Sequence, residues 1–554
     1  MTSTAQPDVP PRTTLLRGGA VYNPAEPYAT ALLTVGDTVA WIGSEDGADL
    51  HADSADEVLD LRGALVAPAF TDAHVHATSS GLALTGLDVA GASSGTELLD
   101  RVAAYAAALP RDAVVLGTGW DETAWADAIP PSAAELDRAS GGRAVYLSRV
   151  DVHSAAVSSA LLAAVPEATG AKGFRANGIV TQDAHHLLRA AAYGRITAEQ
   201  RTAAQRAARS RAAELGVGAL HECGGPQISG EEDFTGLLAL AAAEPGPYVF
   251  GYWGELTDPL KAAALGAVGA GGDLFIDGAL GSRTAALRDP YTDAAETGDP
   301  AHGGVAYLEG EQIAGFLAAC AEAGVQPGFH VIGDYAMDLL TGALELAADA
   351  VGAARVRALA VRAEHAEMAD AAAIGKLAEY GVVVSAQPGF DAAWGGPEGM
   401  YARRLGWERA EGMNPFAAYG AAGVVLAFGS DSPVVPIGPW EAVRAAAFHR
   451  TPASRITVRA AFAAHTRGGW RALRPAAPGV PTDEQGVLAP GAAATYAVWQ
   501  AGDLVVQTPD SRVAAWSTDE RSGVPGLPDL APGGPLPACL RTVVRGRVVH
   551  DAAA

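Results

Sequence analysis

Cysteine is scarce: the 554 residues contain three, Cys223, Cys320 and Cys539. Three scattered thiols cannot frame a fold with disulfides, and an odd number suits a reducing compartment. No apolar run reaches the roughly 18 residues that a membrane-spanning helix needs, so none is expected. The first residues, Met-Thr-Ser-Thr-Ala-Gln-Pro-Asp-Val-Pro-Pro, hold no basic stretch leading into an apolar one, so no secretory signal is read there. Positive charge is in deficit, with 38 Lys and Arg against 63 Asp and Glu and a formal net charge of -25. That sign repels phosphate backbones and anionic lipid, which removes nucleic acid and membranes from the expected partners. The expectation is a cytoplasmic protein acting on a small-molecule substrate, and a homo-oligomer is compatible with it.

What is present suits a packed fold: 49% of residues are hydrophobic and 18% charged, and the length exceeds what one core usually supports. Residues 13–68 and 485–554 are short β-rich pieces separated by turns, and the two ends are expected to pair in one composite β-sandwich. Within 69–484, apolar runs that finish in polar residues alternate with Ala-rich helical stretches. One run ends at His76; the others cover 216–222, 248–253, 274–277, 325–330, 360–365, 382–387 and 424–431. Eight strands buried on both faces and separated by helices predict an α/β protein built on a TIM-like (β/α)8 barrel. The stretch of about 79–213 is too long for one connection and reads as a subdomain inserted after the first strand.

Several run ends carry residues able to hold a metal. His74 and His76 share a face of the first strand because alternate side chains point the same way. Glu222 and Cys223 lie near the end of the second, His330 ends the fifth, His365 the sixth and Asp431 the eighth. A lone buried histidine is usually a hydrogen-bonded core residue, and Asp431 in Gly-Ser-Asp-Ser-Pro could merely form a turn. Strand ends of such a barrel converge on one mouth, however, and their coincidence there points to a divalent-metal centre. His221 is read as facing away from Glu222.

These residues sit in motifs that resemble the amidohydrolase superfamily, in the branch that includes N-substituted formamide deformylases. The resemblance covers nearly the whole chain. It rests on Ala-Pro-Ala-Phe-Thr-Asp-Ala-His-Val-His ending at His76, Asp-Gly-Ala-Leu-Gly-Ser-Arg-Thr-Ala from Asp277, and His-Val-Ile-Gly-Asp from His330. It continues in Arg-Ala-Glu-His-Ala around His365, Ser-Ala-Gln-Pro from Ser385 and Gly-Ser-Asp-Ser-Pro around Asp431. It implies that His74, His76, His330 and His365 ligate one or two divalent ions, zinc above all, with Asp431 as the remaining ligand and proton shuttle. The implied reaction is hydrolysis of a nonpeptide carbon-nitrogen bond in an amide or N-formyl compound. A deaminase on the same scaffold and a catalytically silent ligand-binding relative are the alternatives.

One position departs from the branch. Where its members often carry a lysine that can be carbamylated to bridge two metals, this chain has Asp273. The expectation is therefore one tightly held ion, with Glu222, Cys223 or Asp277 as candidate bridging or supporting groups for any second. In the insertion, Trp120, Asp121 and His153 are candidates for the substrate pocket, with a turn-stabilising role as the alternative.

Overall fold

The computed structural model describes residues 11–553 apart from 121, 123–124, 128, 150–153, 227, 282, 475–476, 508–515 and 518–522. Two compact units divide the chain, one comprising 1–76 with 209–554 and the other 77–208.

The larger unit holds eight parallel strands, here numbered β1 (Phe70–Val75), β2 (Val217–Gly224), β3 (Tyr248–Trp253), β4 (Gly269–Ala270), β5 (Gln326–Val331), β6 (Arg362–His365), β7 (Val383–Ala386) and β8 (Val425–Phe428). Each pairs with its sequence neighbour, so spatial order follows chain order from β1 to β8. A parallel bridge between Val75 and Ser432 joins the first strand to the segment after the last. This is the expected TIM-like barrel. Residues of β1, β2, β5, β6 and β7 are buried along their whole length, as strands covered by helices on one side and a barrel core on the other must be.

The fourth strand is not where the apolar run Leu274-Phe275-Ile276 predicted it. β4 consists of Gly269 and Ala270, and the later run contributes only an isolated bridge from Phe275 to His330. The strand is thin because its neighbours are close: a Cβ on Gly269 would lie 2.6 Å from the Tyr252 ring and 2.9 Å from the Gln326 carbonyl oxygen.

At the base of the barrel Phe70 meets Trp440, Phe462, His465 and Trp499 edge-on, with ring centroids 5.0 to 5.7 Å apart. Such pairs contribute about 0.5–1.5 kcal/mol each beyond burial. Trp499 belongs to the strand Tyr496–Gln500, which pairs antiparallel with Leu65–Pro68 in a sheet that also contains Ala20–Val21, Ala538–Val544 and Arg547–Asp551. The two ends of the chain thus share one sheet. A four-stranded sheet, Thr13–Arg17, Ala31–Val35, Thr38–Gly43 and Glu57–Asp60, shares a core with it through Leu16, Leu32, Val66, Tyr496, Val498 and Val543.

The smaller unit has its own five-stranded sheet, of which Val115–Trp120 and Val145–Arg149 are the parallel centre. Among the described residues no helix is long and apolar enough to cross a membrane.

Candidate metal centre

The seam that closes the barrel also places the first site residues. The Asp72 carboxylate accepts the Ser430 and His74 amides at 2.8 and 3.3 Å. The Asp431 amide donates to the His74 carbonyl at 2.7 Å, and that of His76 to the Ser432 carbonyl at 3.0 Å. Asp431 is thereby set beside His74 and His76. Its φ of +57° and that of His365, +68°, lie in the left-handed region, a cost that non-glycine residues carry where the surroundings enforce it, often at functional sites.

Each of four histidines gives one ring N–H to an oxygen that can only accept. His74 Nδ1 donates to Glu364 Oε2 at 2.9 Å and His76 Nδ1 to the Cys223 carbonyl at 3.0 Å. His330 Nε2 donates to the Gly278 carbonyl at 3.2 Å and His365 Nδ1 to Gln387 Oε1 at 2.8 Å. The Gln387 amide nitrogen faces the Ser385 carbonyl at 3.4 Å, which fixes its orientation. These bonds set the tautomers, so the other nitrogen of every ring presents a lone pair inward.

Those lone pairs converge on two carboxylates. His76 Nε2 lies 3.1 Å from both Asp273 Oδ2 and Asp431 Oδ1, and His74 Nε2 lies 3.5 Å from Asp273 Oδ1 and from Asp431 Oδ1. His330 Nδ1 and His365 Nε2 lie 3.4 and 3.6 Å from Asp273 Oδ1. All six residues are buried. A lone pair facing a carboxylate oxygen in a buried pocket is repulsive unless a proton or a cation lies between them. His74 Nε2, His365 Nε2 and Asp431 Oδ1 have no hydrogen-bond partner among the described residues, which is what a cation would satisfy.

The ionisation behaviour agrees. Burial pushes the His76 imidazole down, yet Asp273 and Asp431 more than reverse this and hold it well above the ordinary range. Burial alone would push Asp273 towards its protonated form, but the histidines around it, led by His74, outweigh this and hold it well below the usual carboxylate range. His365 is pushed down by burial and by its neighbour His330. Without metal the pocket traps protons that a divalent ion would displace.

Beneath His74 lies a buried ion pair. Arg362 Nε donates to Glu364 Oε1 at 2.7 Å and Nη2 to Glu364 Oε2 at 3.1 Å. The remaining guanidinium hydrogens reach the Ala73 carbonyl at 2.6 Å, Ser385 Oγ at 3.2 Å and His221 Nδ1 at 2.8 Å. The guanidinium also stacks 4.2 Å above the Tyr252 ring. Burial would raise the Glu364 pKa, but Arg362 and His74 hold it well below the carboxylate range, leaving it an anion that keeps His74 in its tautomer.

The structure thus brings His74, His76, His330, His365 and Asp431 together. Cys223 borders the site, its Sγ grouped with His74 and Glu364 within 4.8 Å; burial pushes its thiol up, towards the protonated form. Glu222, one residue earlier, faces the opposite side of β2 by strand alternation. Asp277 is absent from these clusters and accepts the amides of Ala286, Ile332 and Gly333 at 2.9, 3.0 and 2.7 Å, so both of its oxygens are engaged by loop amides. Trp120 is buried in the smaller unit, its indole donating to the Leu147 carbonyl at 2.9 Å. Asp121 and His153 lie outside the described residues.

Sequence reasoning missed Glu364, Gln387, Asp72 and the place of Asp273 among the clustered histidines. The spacing Arg362-Ala-Glu364 on one face of a strand was one available signal, and Gly271-Gly272 just before Asp273 another.

Comparison with known proteins follows the same lines. The profile of the amidohydrolase family matches residues 57–550. The chain is 24% identical over 438 residues to YtcJ of Bacillus subtilis, covering 71% of this chain and 75% of that one. It is 23% identical over 452 residues to the N-substituted formamide deformylase of Arthrobacter pascens, covering 77% and 81%. Among solved structures, an uncharacterized metal-dependent hydrolase from Pyrococcus furiosus superposes with a TM-score of 0.71 at 25% identity, over 88% of this chain and 98% of that one.

Proposed function

This chain belongs to the amidohydrolase family and is a metal-dependent hydrolase, and from that premise we propose that it cleaves a nonpeptide carbon-nitrogen bond in an amide or N-formyl small molecule, with zinc as the metal. The observation that carries this reading is the set of four tautomer-locked histidines whose bare nitrogens meet Asp273 and Asp431.

His74, His76, His330, His365, Asp273 and Asp431 would hold the metal, and imidazole nitrogen with carboxylate oxygen is a donor set that suits zinc. A divalent cation there polarises a carbonyl and makes water acidic enough to attack near neutral pH. Asp431, with Oδ1 turned into the pocket and otherwise unpartnered, accepts the attacking water's proton and returns it to the departing nitrogen. Similarity to the formamide deformylase of Arthrobacter pascens supports an N-formyl or amide substrate.

The test is product analysis on a panel of amides, N-substituted formamides and aminated heterocycles. Amine release from formamides or amides supports the proposal. Ammonia released from the heterocycles alone makes the enzyme a deaminase, and no turnover of any compound by metal-loaded protein rejects the proposed reaction.

A further inference from the structure

We propose that the two sheets built from the ends of the chain enclose a second binding site, in which Arg541, Arg547 and the Tyr496 hydroxyl take up a small oxyanion, a carboxylate or a phosphate. The hydrolase reading neither requires this site nor supplies it.

A cavity of about 300 Å³ opens between the strands Thr13–Arg17, Ala31–Val35 and Glu57–Asp60 on one side and Ala538–Val544 and Arg547–Asp551 on the other, at the lower end of the size range of small-molecule pockets. Two tight turns border it, Gly36-Asp37 from one sheet and Arg545-Gly546 from the other. A Cβ on Gly546 would stand 2.0 Å from the Gly36 carbonyl oxygen, so only glycine lets the turns meet. Arg545, left-handed at a φ of +47°, is held there by carboxylates. Its Nε and Nη2 reach Asp37 Oδ2 at 3.1 and 2.5 Å, and its Nη1 and Nη2 reach Asp483 at 2.9 and 2.8 Å. Both Arg545 and Asp37 are thereby engaged in closing the rim.

The donors left for a guest lie further in. Tyr496 pairs with Val543 across the sheet, and Arg541 stands two residues before Val543 on the same face. The Tyr496 ring packs into the core that the two sheets share, and the residue is 3% exposed. Its hydroxyl has no hydrogen-bond partner among the described residues, yet it belongs to the wall of the cavity. Burial pushes the phenol up, so it remains a donor. Arg541 gives one Nη2 to Asp551 at 2.5 Å and makes no other side-chain hydrogen bond among the described residues. Arg547, also in the wall, has no ion pair there at all. The acceptors of the wall are already taken, Asp37 by Arg545 and Glu57 by Arg12 at 3.1 Å.

The cavity therefore offers donors and no free carboxylate. Guanidinium forks match the paired oxygens of a carboxylate or phosphate, and a hydroxyl beside them supplies a further bond. The chain as a whole carries a formal charge of -25, a field that repels long polyanions. A short oxyanion that fits inside the cavity is the guest this arrangement selects.

The experiment titrates the full, metal-loaded chain with inorganic phosphate and, separately, with succinate, by calorimetry in chloride buffer. Saturable binding of at least one probe is expected, and the tighter of the two tells phosphate from carboxylate. Arg541→Gln and Arg547→Gln should each weaken it by about 10-fold or more, the scale of a hydrogen bond to a charged group. Tyr496→Phe, which keeps the ring packing, should weaken it by about threefold or more. Backbone amides of 538–551 should exchange hydrogen more slowly when the probe is bound. No binding of either probe overturns the inference. Binding that the two arginine variants retain in full also overturns it, since it would belong elsewhere, such as the metal centre, and so does binding that leaves exchange in 538–551 unchanged. Arg547 is exposed, so its replacement keeps the test decisive even if Arg541→Gln misfolds. None of these outcomes touches the hydrolase reading.

Discussion

Replacing Glu364 with Gln tests whether the layer beneath the site sets its chemistry. The change keeps shape and removes charge. Glu364 Oε1 accepts from Arg362 Nε at 2.7 Å, while Oε2 accepts from Arg362 Nη2 at 3.1 Å and from His74 Nδ1 at 2.9 Å. A glutamine must turn its NH2 towards one of these sides, and both are occupied by arginine donors. With NH2 on the Oε1 side, it opposes Arg362 Nε–H. With NH2 on the Oε2 side, it opposes Nη2–H and drives His74 to the tautomer whose Nε2 carries hydrogen and cannot ligate. In either case Arg362, fully buried, loses its counter-charge, and breaking a buried pair costs about 3–5 kcal/mol. Metal affinity should fall by about 10- to 100-fold, the usual consequence of losing a group that orients a ligating histidine. At 1.4 kcal/mol per factor of ten that is about 1.4–2.8 kcal/mol. Competitive titration against a chromophoric chelator measures the affinity, and thermal denaturation of the metal-free protein measures the stability. An unchanged dissociation constant together with an unchanged Tm would refute the reasoning.

Asp431→Asn should leave a folded, metal-loaded protein with kcat lower by about 10²-fold or more, because Asn tolerates the left-handed backbone but cannot accept a proton; near-normal turnover, measured with metal content, would remove Asp431 as the shuttle. His74→Ala and His365→Ala should each lower bound metal and activity together, and full metal content in both by elemental analysis would place the ligands elsewhere. Away from the site, burial raises the Glu484 carboxyl from its ordinary 4.5 to about 7, against the pull of Thr495 and Arg545. The folded state then holds this proton more tightly than the unfolded chain, so the contribution is present below 4.5 and is lost as pH rises to about 7. A span of about 2.5 pH units at 1.36 kcal/mol each caps the effect at about 3 kcal/mol. Glu484→Gln keeps an acceptor for the Thr495 hydroxyl and cannot titrate, so its Tm should gain on the parent's between about pH 4.5 and about pH 7; parallel Tm curves would show that Glu484 does not titrate in that range.

The barrel was legible because it depends on local pattern: strands buried on both faces must be apolar throughout, and helices between them must alternate. The histidines were legible for a related reason, since polar residues at the ends of apolar runs stand out. Both signals fail at β4. There the packing against Tyr252 and Gln326 leaves room only for Gly and Ala, so the strand resembles a turn, and the adjacent Leu-Phe-Ile run, whose Phe275 only bridges to His330, resembles the strand. Misplacing β4 by a few residues put Asp277 near the mouth on paper and left Asp273 read only as the loss of a lysine.

Asp277 and Glu364 show a second limit. Asp277 is satisfied by amides of residues 9, 55 and 56 positions away, and Glu364 by a histidine 290 positions away. A buried carboxylate reads the same in sequence whether it meets backbone amides, an arginine or a metal, because its residue type does not encode which partner the fold supplies. The histidines differ in that each has two nitrogens, and here one of each is held by an oxygen acceptor. That outer contact separates the candidate ligands from a core histidine: His221, whose Nδ1 accepts from Arg362 Nη1 and whose pKa burial and the arginine's charge push well down, shares a strand face with Cys223 but meets the arginine beneath the pocket. The chemistry of the mouth is therefore decided one layer down, in which acceptor meets each ring.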